Sequence, residues 1–367
     1  MDKIFEDLSK LERYPKDQDV NLRPYDAADE LVLEYLLQHR GAGVLIIEDR
    51  FGALTFNIDN VVDVVTDSFI SFHGITKNAK NLGRELRPIK KSLEDVKEWD
   101  KIDIVVFKVP KNMSYFEDVI NFLATKLTEG TEVICPAMIK HLPKTVFEVL
   151  ESNFGKTWTS LAKKKARLVF GKLEKNSVSR LTKYPLVVNF DGFVKPFTNY
   201  SNVFSRSKLD IGTRFFLENI PTGYRRILDL GCGNGVVGIK AKLVNPEADI
   251  SFADESAMAI RSAKVNFENY FADEPITFWT NCFDSEFHDE KFDLILCNPP
   301  FHQQTIVGDF IALQMFNDAF QSLERGGLLR VIGNRHLNYH IKLKQIFGDS
   351  KTIASNSKFV IIDCHKR

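Results

Sequence analysis

The sequence predicts an α/β protein built from two tandem Rossmann-like units, the N-terminal one degenerate. Three observations support that class. Apolar strand-like runs alternate with amphipathic helical stretches along 367 residues, a length with room for two domains at roughly 150 residues each. The stretch ILDLGCGNGVVG, Ile227 to Gly238, reads as a buried strand running into a glycine turn and then a helix. Six features of the first half also recur in the same order in the second, as a duplication would leave them.

In chain order, few strand signals precede AADELVLEYLLQH, Ala27 to His39. Its Leu31, Leu33, Tyr35, Leu36 and Leu37 suit an amphipathic helix ended by Gly41. GVLIIEDRFGAL, Gly43 to Leu54, reads as a buried strand and turn. From there the halves run in step. Val44 to Gly52 parallels Ile227 to Gly235, and VVDVVTD ending at Asp67 parallels ISFAD ending at Asp254. DIVVFKVPKN from Asp103 parallels DLILCNPPFH from Asp293, and LTEGTEVICPAM parallels LERGGLLRVIGN. His141-Leu142 recurs as His336-Leu337, and Phe154-Gly155 as Phe347-Gly348. The first repeat ends with ARLVFGKL, Ala166 to Leu173. Polar EKNSVSR, Glu174 to Arg180, is the expected linker, which sets the domains at 1–176 and 177–367.

The copies differ where a ligand would lie. The second has DLGCGNG where the first has IEDRFG, so Arg50 and Phe51 are expected to fill the space; the second has NPPF where the first has KVPK. The first copy is expected to keep the fold and to have lost the site. In the second, KYPLVVNFDGFVKPFTNY (183–200) suggests a short hairpin, and FSRSKLDIGTRFFLENI (204–220) a loop and helix. After the core strands come FIALQMFNDAFQSLERGG as a helix capped by glycine, LLRVIGN as a fifth strand, LNYHIKLKQIFG as another helix, and TIASNSKFVIIDCHK as a closing antiparallel pair.

Composition excludes several classes. With 44% hydrophobic and 27% charged residues the chain is an ordinary globular one. No apolar run reaches the roughly 18 residues that span a bilayer, and MDKIFEDLSK lacks the apolar core of a signal peptide, so a cytoplasmic protein with no membrane partner is expected. The five cysteines form no CxxC pair, which argues against a disulfide framework and a zinc site; they are expected to be small buried residues. Net charge is zero, a mild argument against nucleic acid. Its distribution is uneven: Lys77 to Lys91 holds six Lys or Arg against Glu85, and Lys156 to Arg180 holds eight against Glu174. Such runs are most often solvated faces; as an RNA-binding surface they would offer Lys90, Lys91, Lys163, Lys164, Lys165 and Arg167.

The glycine turn carries the chemistry. Asp229 closes the strand ahead of Gly231, Gly233 and Gly235, where the missing Cβ lets the backbone take positive φ and approach a bound molecule. By pattern alone it is ambiguous, because Gly233, Gly235 and Gly238 also satisfy the GxGxxG dinucleotide fingerprint. DLGCGNG resembles, instead, the S-adenosylmethionine (SAM) site of class I methyltransferases. Asn298-Pro299-Pro300-Phe301 after the strand FDLILC resembles the catalytic loop of those that act on planar exocyclic or amide nitrogens.

That resemblance implies two tandem class I SAM-methyltransferase domains, the first degenerate, with SAM as cofactor and no metal. It makes Asp229, Gly231, Gly233 and Gly235 cofactor-binding, with the helix from Val236 aiming its first amides at the carboxylate end. Asp254 can accept both ribose hydroxyls, a helix N-cap being the plainer alternative. Asn281 can accept the adenine amino group, and the choice between it and Asp284 stays open. Asp210 and Gly212 lie in the loop that folds over the methionine moiety in related enzymes, with an N-cap at Asp210 as the alternative.

An exocyclic amine attacks a sulfonium methyl poorly while its lone pair is delocalised. Acceptors that hold its two protons let the nitrogen pyramidalise, and Asn298 Oδ1 and the Pro299 carbonyl are the candidates. Consecutive prolines stiffen the loop so that both oxygens converge, and Phe301 offers a face for stacking the base. The doubled architecture with FSRSKLDIGTR, DLGCGNG and NPPFHQQ resembles the ribosomal RNA guanine-N2 methyltransferases. IGNRHLNYHIKLKQIFG and TIASNSKFVI look most like the members acting on large-subunit, 23S rRNA. The resemblance implies 23S rRNA as partner and a monomer. A sister enzyme acting on 16S rRNA shares the architecture; a protein-glutamine or DNA-adenine methyltransferase shares the NPP loop. A non-catalytic RNA-binding protein is the reading from another class.

Overall fold

A computed structural model describes residues 8–15, 22–86, 88–174, 182–272, 276–280, 289–300 and 306–367, with no side-chain detail at 276, 278–280 and 306–310. The chain divides into two compact units, Met1–Tyr184 and Pro185–Arg367. The expected boundary at 176/177 lies outside the described residues.

In the first unit, α1 (Ala27–Leu36) precedes β1 (Val44–Ile47), β2 (Val61–Val65), α2 (Phe69–Leu82), β3 (Ile104–Phe107), α3 (Met113–Lys126), β4 (Glu132–Met138), α4 (Lys144–Phe154), β5 (Thr157–Thr159) and β6 (Ala166–Lys172). These strands form one sheet in the order β2-β1-β3-β4-β6-β5, parallel through β4 and antiparallel at β6 and β5. β1 and β3 are buried at all four positions, the continuous apolar run expected of inner parallel strands covered on both faces.

The second unit opens with the expected hairpin, β7 (Leu186–Val188) and β8 (Phe197–Asn199). Then come α5 (Ile211–Leu217), β9 (Arg226–Leu230), α6 (Val236–Val244), β10 (Asp249–Asp254), α7 (Ala257–Tyr270), β11 (Ile276–Thr280), β12 (Phe292–Cys297), α8 (Ile306–Ser322), β13 (Leu323–Asn334), α9 (Tyr339–Phe347), β14 (Lys351–Ser355) and β15 (Phe359–His365). Its sheet order, β11-β10-β9-β12-β13-β15-β14, repeats the first with one strand added at an edge. In the first unit Lys90 makes only an isolated parallel bridge to Val65 at that edge.

The correspondence extends to single residues. Asp103 accepts from the amide of Gly43 at 2.7 Å, and Asp293 accepts from those of Arg225 and Arg226 at 2.8 and 2.9 Å, so one aspartate fastens β3 to the start of β1 and another fastens β12 to the start of β9. Phe154 and Phe347 are buried helix ends, each followed by a glycine of positive φ, 86° and 84°. Register corrects one pairing. Val65 beside Ile47 occupies the place of Ala253 beside Leu230, so Thr66 is the counterpart of Asp254, and Asp67 falls one position later. The periodicity of the strand is shared, but its polar end is shifted by one residue.

Two ends also differ from expectation. The α8 helix stops at Ser322, short of Gly326, because Leu323 already pairs with Phe292 and the segment enters the sheet through a register shift. Helix α1 stops at Leu36, and Leu37 caps it.

Candidate active site

The site is assembled at the carboxyl ends of β9, β10 and β12, where a doubly wound sheet places its ligands. Gly231 leaves β9 at φ 73°, and its amide and that of Cys232 both donate to the Ala253 carbonyl of β10, at 2.9 and 3.0 Å. Gly233 and Gly235 continue at φ 55° and 81°. A Cβ on Gly235 would lie 3.0 Å from Ala263 Cβ, whereas one on Gly233 would meet nothing within 4 Å. One glycine is therefore demanded by helix packing, the other keeps a bare backbone facing open space.

Asp229 is 2% exposed and its Oδ2 accepts from the Gly238 amide at 2.8 Å. That bond braces the turn against the first helical turn of α6. Burial raises its pKa to about 7, the Gly238 bond opposing and the charge of Asp254 adding. The Val236 amide bonds Asn234 Oδ1 at 3.3 Å, so two of the first three α6 amides are engaged within the protein. The amides expected to face the carboxylate end of the cofactor are thus in part occupied by the protein's own side chains.

Asp254, half-buried, accepts from the Gly233 amide through Oδ2 at 2.9 Å and from the Ser256 amide through Oδ1 at 3.0 Å. The N-cap of α7 is Ser256, which accepts from the Ala259 amide at 3.1 Å; the cap alternative for Asp254 is thus corrected. Asp210 does cap α5: its Oδ2 accepts from the amides of Gly212 and Thr213 at 2.8 and 3.3 Å.

Asn298 follows β12. Its Nδ2 donates to Thr213 Oγ1 at 3.1 Å, and its Oδ1 is buried without a hydrogen-bond partner among the described residues. Such an orphaned acceptor costs roughly 1–3 kcal/mol in a native fold and asks for a donor. Pro299 is buried and Pro300 exposed. Phe301, Asn281 and Asp284 lie outside the described residues.

Three buried asparagines support the turn, and sequence reasoning did not single them out. Asn234 Nδ2 donates to Asn199 Oδ1 at 2.9 Å, while Asn266 Nδ2 donates to the carbonyls of Asn234 and Thr198, both at 3.0 Å. The β7–β8 hairpin is thereby fastened to the glycine turn. Asparagine inside a helix such as α7 is a poor helix former, which was the only available signal.

The first copy fills the equivalent positions with side chains. Glu48 stands where Gly231 does, its amide donating to the Val65 carbonyl at 3.0 Å, and it holds φ 64° without being glycine. Its carboxylate is satisfied by the Asp67 amide and the Tyr115 hydroxyl, each at 2.9 Å, and burial raises its pKa to about 7. Lys108 stands where Asn298 does, and its ammonium meets Asp29 of α1 at 2.6 and 2.8 Å. Arg50 and Phe51 were expected to be the obstruction; Phe51 is buried but Arg50 is exposed, and Glu48 and Lys108 occupy the positions of Gly231 and Asn298 instead.

The basic residues of the first unit fall into two groups. Lys163 pairs with Glu34 at 2.6 Å and Lys164 with Glu30 at 2.5 Å, so both already carry counter-charges. Lys164 and Lys165 hold φ 49° and 62° in a two-residue turn closed by hydrogen bonds between Lys163 and Ala166, a geometry that favours Asn-Gly. Arg167 is half-buried. Lys90 and Lys91 lie beyond β2, at the opposite edge of the sheet. Roughly 20–25 Å of strand spacing separates the clusters, so the single patch suggested by sequence is two.

Of the cysteines, Cys135, Cys232, Cys297 and Cys364 are buried and free, and Cys282 is outside the described residues. Among the described residues no group of three or more His, Cys, Asp or Glu could hold a metal, and no helix is long and apolar enough to cross a membrane.

Two family descriptions match the chain, the RLMG N-terminal domain over residues 3–175 and the Methyltransferase small domain over 195–363. A Rossmann-like sheet, a glycine turn and the second of these domains define a SAM-dependent methyltransferase. Ribosomal RNA large subunit methyltransferase G of Shewanella halifaxensis is 41% identical over 97% of this chain and 88% of that protein. Its namesake from Shewanella woodyi is 40% identical with the same coverage. The chain belongs to the ribosomal RNA large subunit methyltransferase G family. The T. thermophilus 16S rRNA N2 methyltransferase, solved with AdoMet and guanosine, shares the fold with a TM-score of 0.76 at 19% identity, over 93% of this chain and 92% of that one.

Proposed function

We propose that this chain methylates the exocyclic N2 of a guanine in 23S rRNA, with SAM as methyl donor. The family supplies the substrate class, and the observation that carries the chemistry is the buried Oδ1 of Asn298 at the end of β12, unpartnered among the described residues. The glycine turn fits the cofactor: Gly233 leaves open space, and the Asp254 carboxylate stands beside it, bonded to the Gly233 amide. Bound SAM supplies an electrophilic methyl on a sulfonium. Asn298 Oδ1 accepts one N–H of the guanine amine, and the Pro299 carbonyl the other, so the nitrogen lone pair is released from the ring for attack. The new N–C bond forms as the S–C bond breaks with its electrons passing to sulfur, and one amine proton leaves to water.

The first unit, with Glu48 and Lys108 in place of the site, is proposed to hold RNA. Residues 1–176 and 177–367 are read as RNA-binding and catalytic domains, acting as a monomer in the cytoplasm. Asp229, Gly231, Gly233, Gly235, Asp254, Asn281 and Asp210 are read as the cofactor side, and Asn298, Pro299 and Phe301 as the reacting side. The test is methyl transfer from labelled SAM to rRNA from cells lacking the gene, followed by mapping of the product. Label on N2 of one 23S guanine supports the proposal; label on 16S rRNA, on DNA or on no RNA sinks it.

A further inference from the structure

We propose that Thr213 is a positioning residue for methyl transfer, its hydroxyl holding the Asn298 amide in the orientation that aims Oδ1 at the target amine. An asparagine amide has two ends of nearly equal size and opposite hydrogen-bonding sense. Rotated by half a turn, it would present Nδ2 to an amine, donor against donor. Something must select the orientation, and Thr213 is the side chain that bonds it: Oγ1 accepts from Nδ2 at 3.1 Å, leaving Oδ1 buried and unmatched. Thr213 is 5% exposed, and its amide is held by the cap Asp210, so the chain of support runs from Asp210 through Thr213 to Asn298.

The degenerate copy makes the same contact with other residues. Asp26 caps α1 as Asp210 caps α5, and Asp29, like Thr213, is the third residue after its cap. Asp29 bonds Lys108, which holds the register position of Asn298. The fold therefore brings these two positions together in both units. In the first, the contact is a closed ion pair that leaves nothing over for a ligand. In the second, threonine and asparagine leave one acceptor free.

The inference rests on the reading of Asn298 as acceptor, and three full-length variants separate the two. With unmodified rRNA and SAM, Thr213→Val, similar in shape but without an acceptor, should lower kcat by about tenfold or more. Its SAM Kd by calorimetry and its KM for rRNA should stay within about twofold, and Thr213→Ser should recover most of the rate. Thr213→Ala serves if the valine variant does not fold. Asn298→Ala at wild-type turnover would remove the reading beneath. Loss of activity in Asn298→Ala with none in Thr213→Val or Thr213→Ala would overturn this inference alone. So would a serine variant as slow as the valine one, or a kcat loss matched by loss of SAM affinity.

Discussion

Asn298 and Lys108 hold one register position in two copies, and the difference between an orphaned acceptor and a saturated ammonium is the difference between a site and a scaffold. Asn298→Ala should leave SAM affinity within a few-fold and cut turnover by at least about a hundredfold, as loss of a transition-state acceptor does. Equal loss of SAM binding, measured by calorimetry, would mark it as structural. Asp254→Ala should weaken SAM by roughly 2 to 3 kcal/mol, with kcat recovering at saturating cofactor. Part of that loss comes from the freed Gly233 amide, so unchanged affinity would remove Asp254 from the binding set. Glu48 supplies a test that needs no substrate. Burial lifts its pKa from 4.5 to about 7, so the folded chain holds this proton more tightly than the unfolded one. Its contribution is full below about pH 4.5 and is lost as pH rises through about 7, on the order of 3 kcal/mol for the first unit. Glu48→Gln should flatten that slope in denaturant titrations, and an unchanged slope would assign it to other groups.

At the scale of elements, the strands were legible because each core strand is a short apolar run followed by glycine or a polar cap, and the internal repeat supplied each assignment twice. Strand ends were less so. The shift that makes Thr66 rather than Asp67 the partner of Asp254 follows from pairing between strands, which a single run of residues does not encode. Helix α6 carries a packing constraint of its own: a Cβ on Gly238 would stand 2.4 Å from the Phe252 ring of β10 and 3.2 Å from Asp229 Cβ. Gly238→Ala should therefore destabilise the second unit by about 1–3 kcal/mol and lower its Tm, while a neutral result would mean that the ring swings aside. The basic elements now call for a narrower test than reversal of the whole cluster. Reversing Lys163 or Lys164 would set acid against Glu34 or Glu30, so the clean variants are Lys91→Glu and Lys165→Glu. These should raise KM for rRNA and flatten its salt dependence by roughly 0.7 per lost contact without altering SAM affinity. Salt dependence identical to wild type would detach RNA binding from these two groups.

Across the whole molecule, the doubled order of strands was visible in sequence because six features recur in step, and the sheet topology repeats them with one strand added at an edge. The glycine turn and Asn298 were visible too, since both depend on residue types few other roles require. Hidden were Asn199, Asn234 and Asn266, and the occupation of the first site by Glu48, because side-chain partners distant in sequence follow no spacing rule. Expressed alone, a fragment beginning near Pro185 should bind SAM and methylate rRNA poorly, and one ending near Glu174 should bind rRNA without SAM. If the first matches the full chain on rRNA, or the second binds SAM, the division of labour fails. Glu48 at φ 64° also bears on how such a protein can change. A glycine restored there would clear the backbone but leave Lys108 locked to Asp29, and an asparagine at 108 alone would strand a buried carboxylate. The first reversal gains no site without the second, and the second alone strands a carboxylate, so the first copy has no single-step road back to its ancestor's trade, and selection is left to work on its surface.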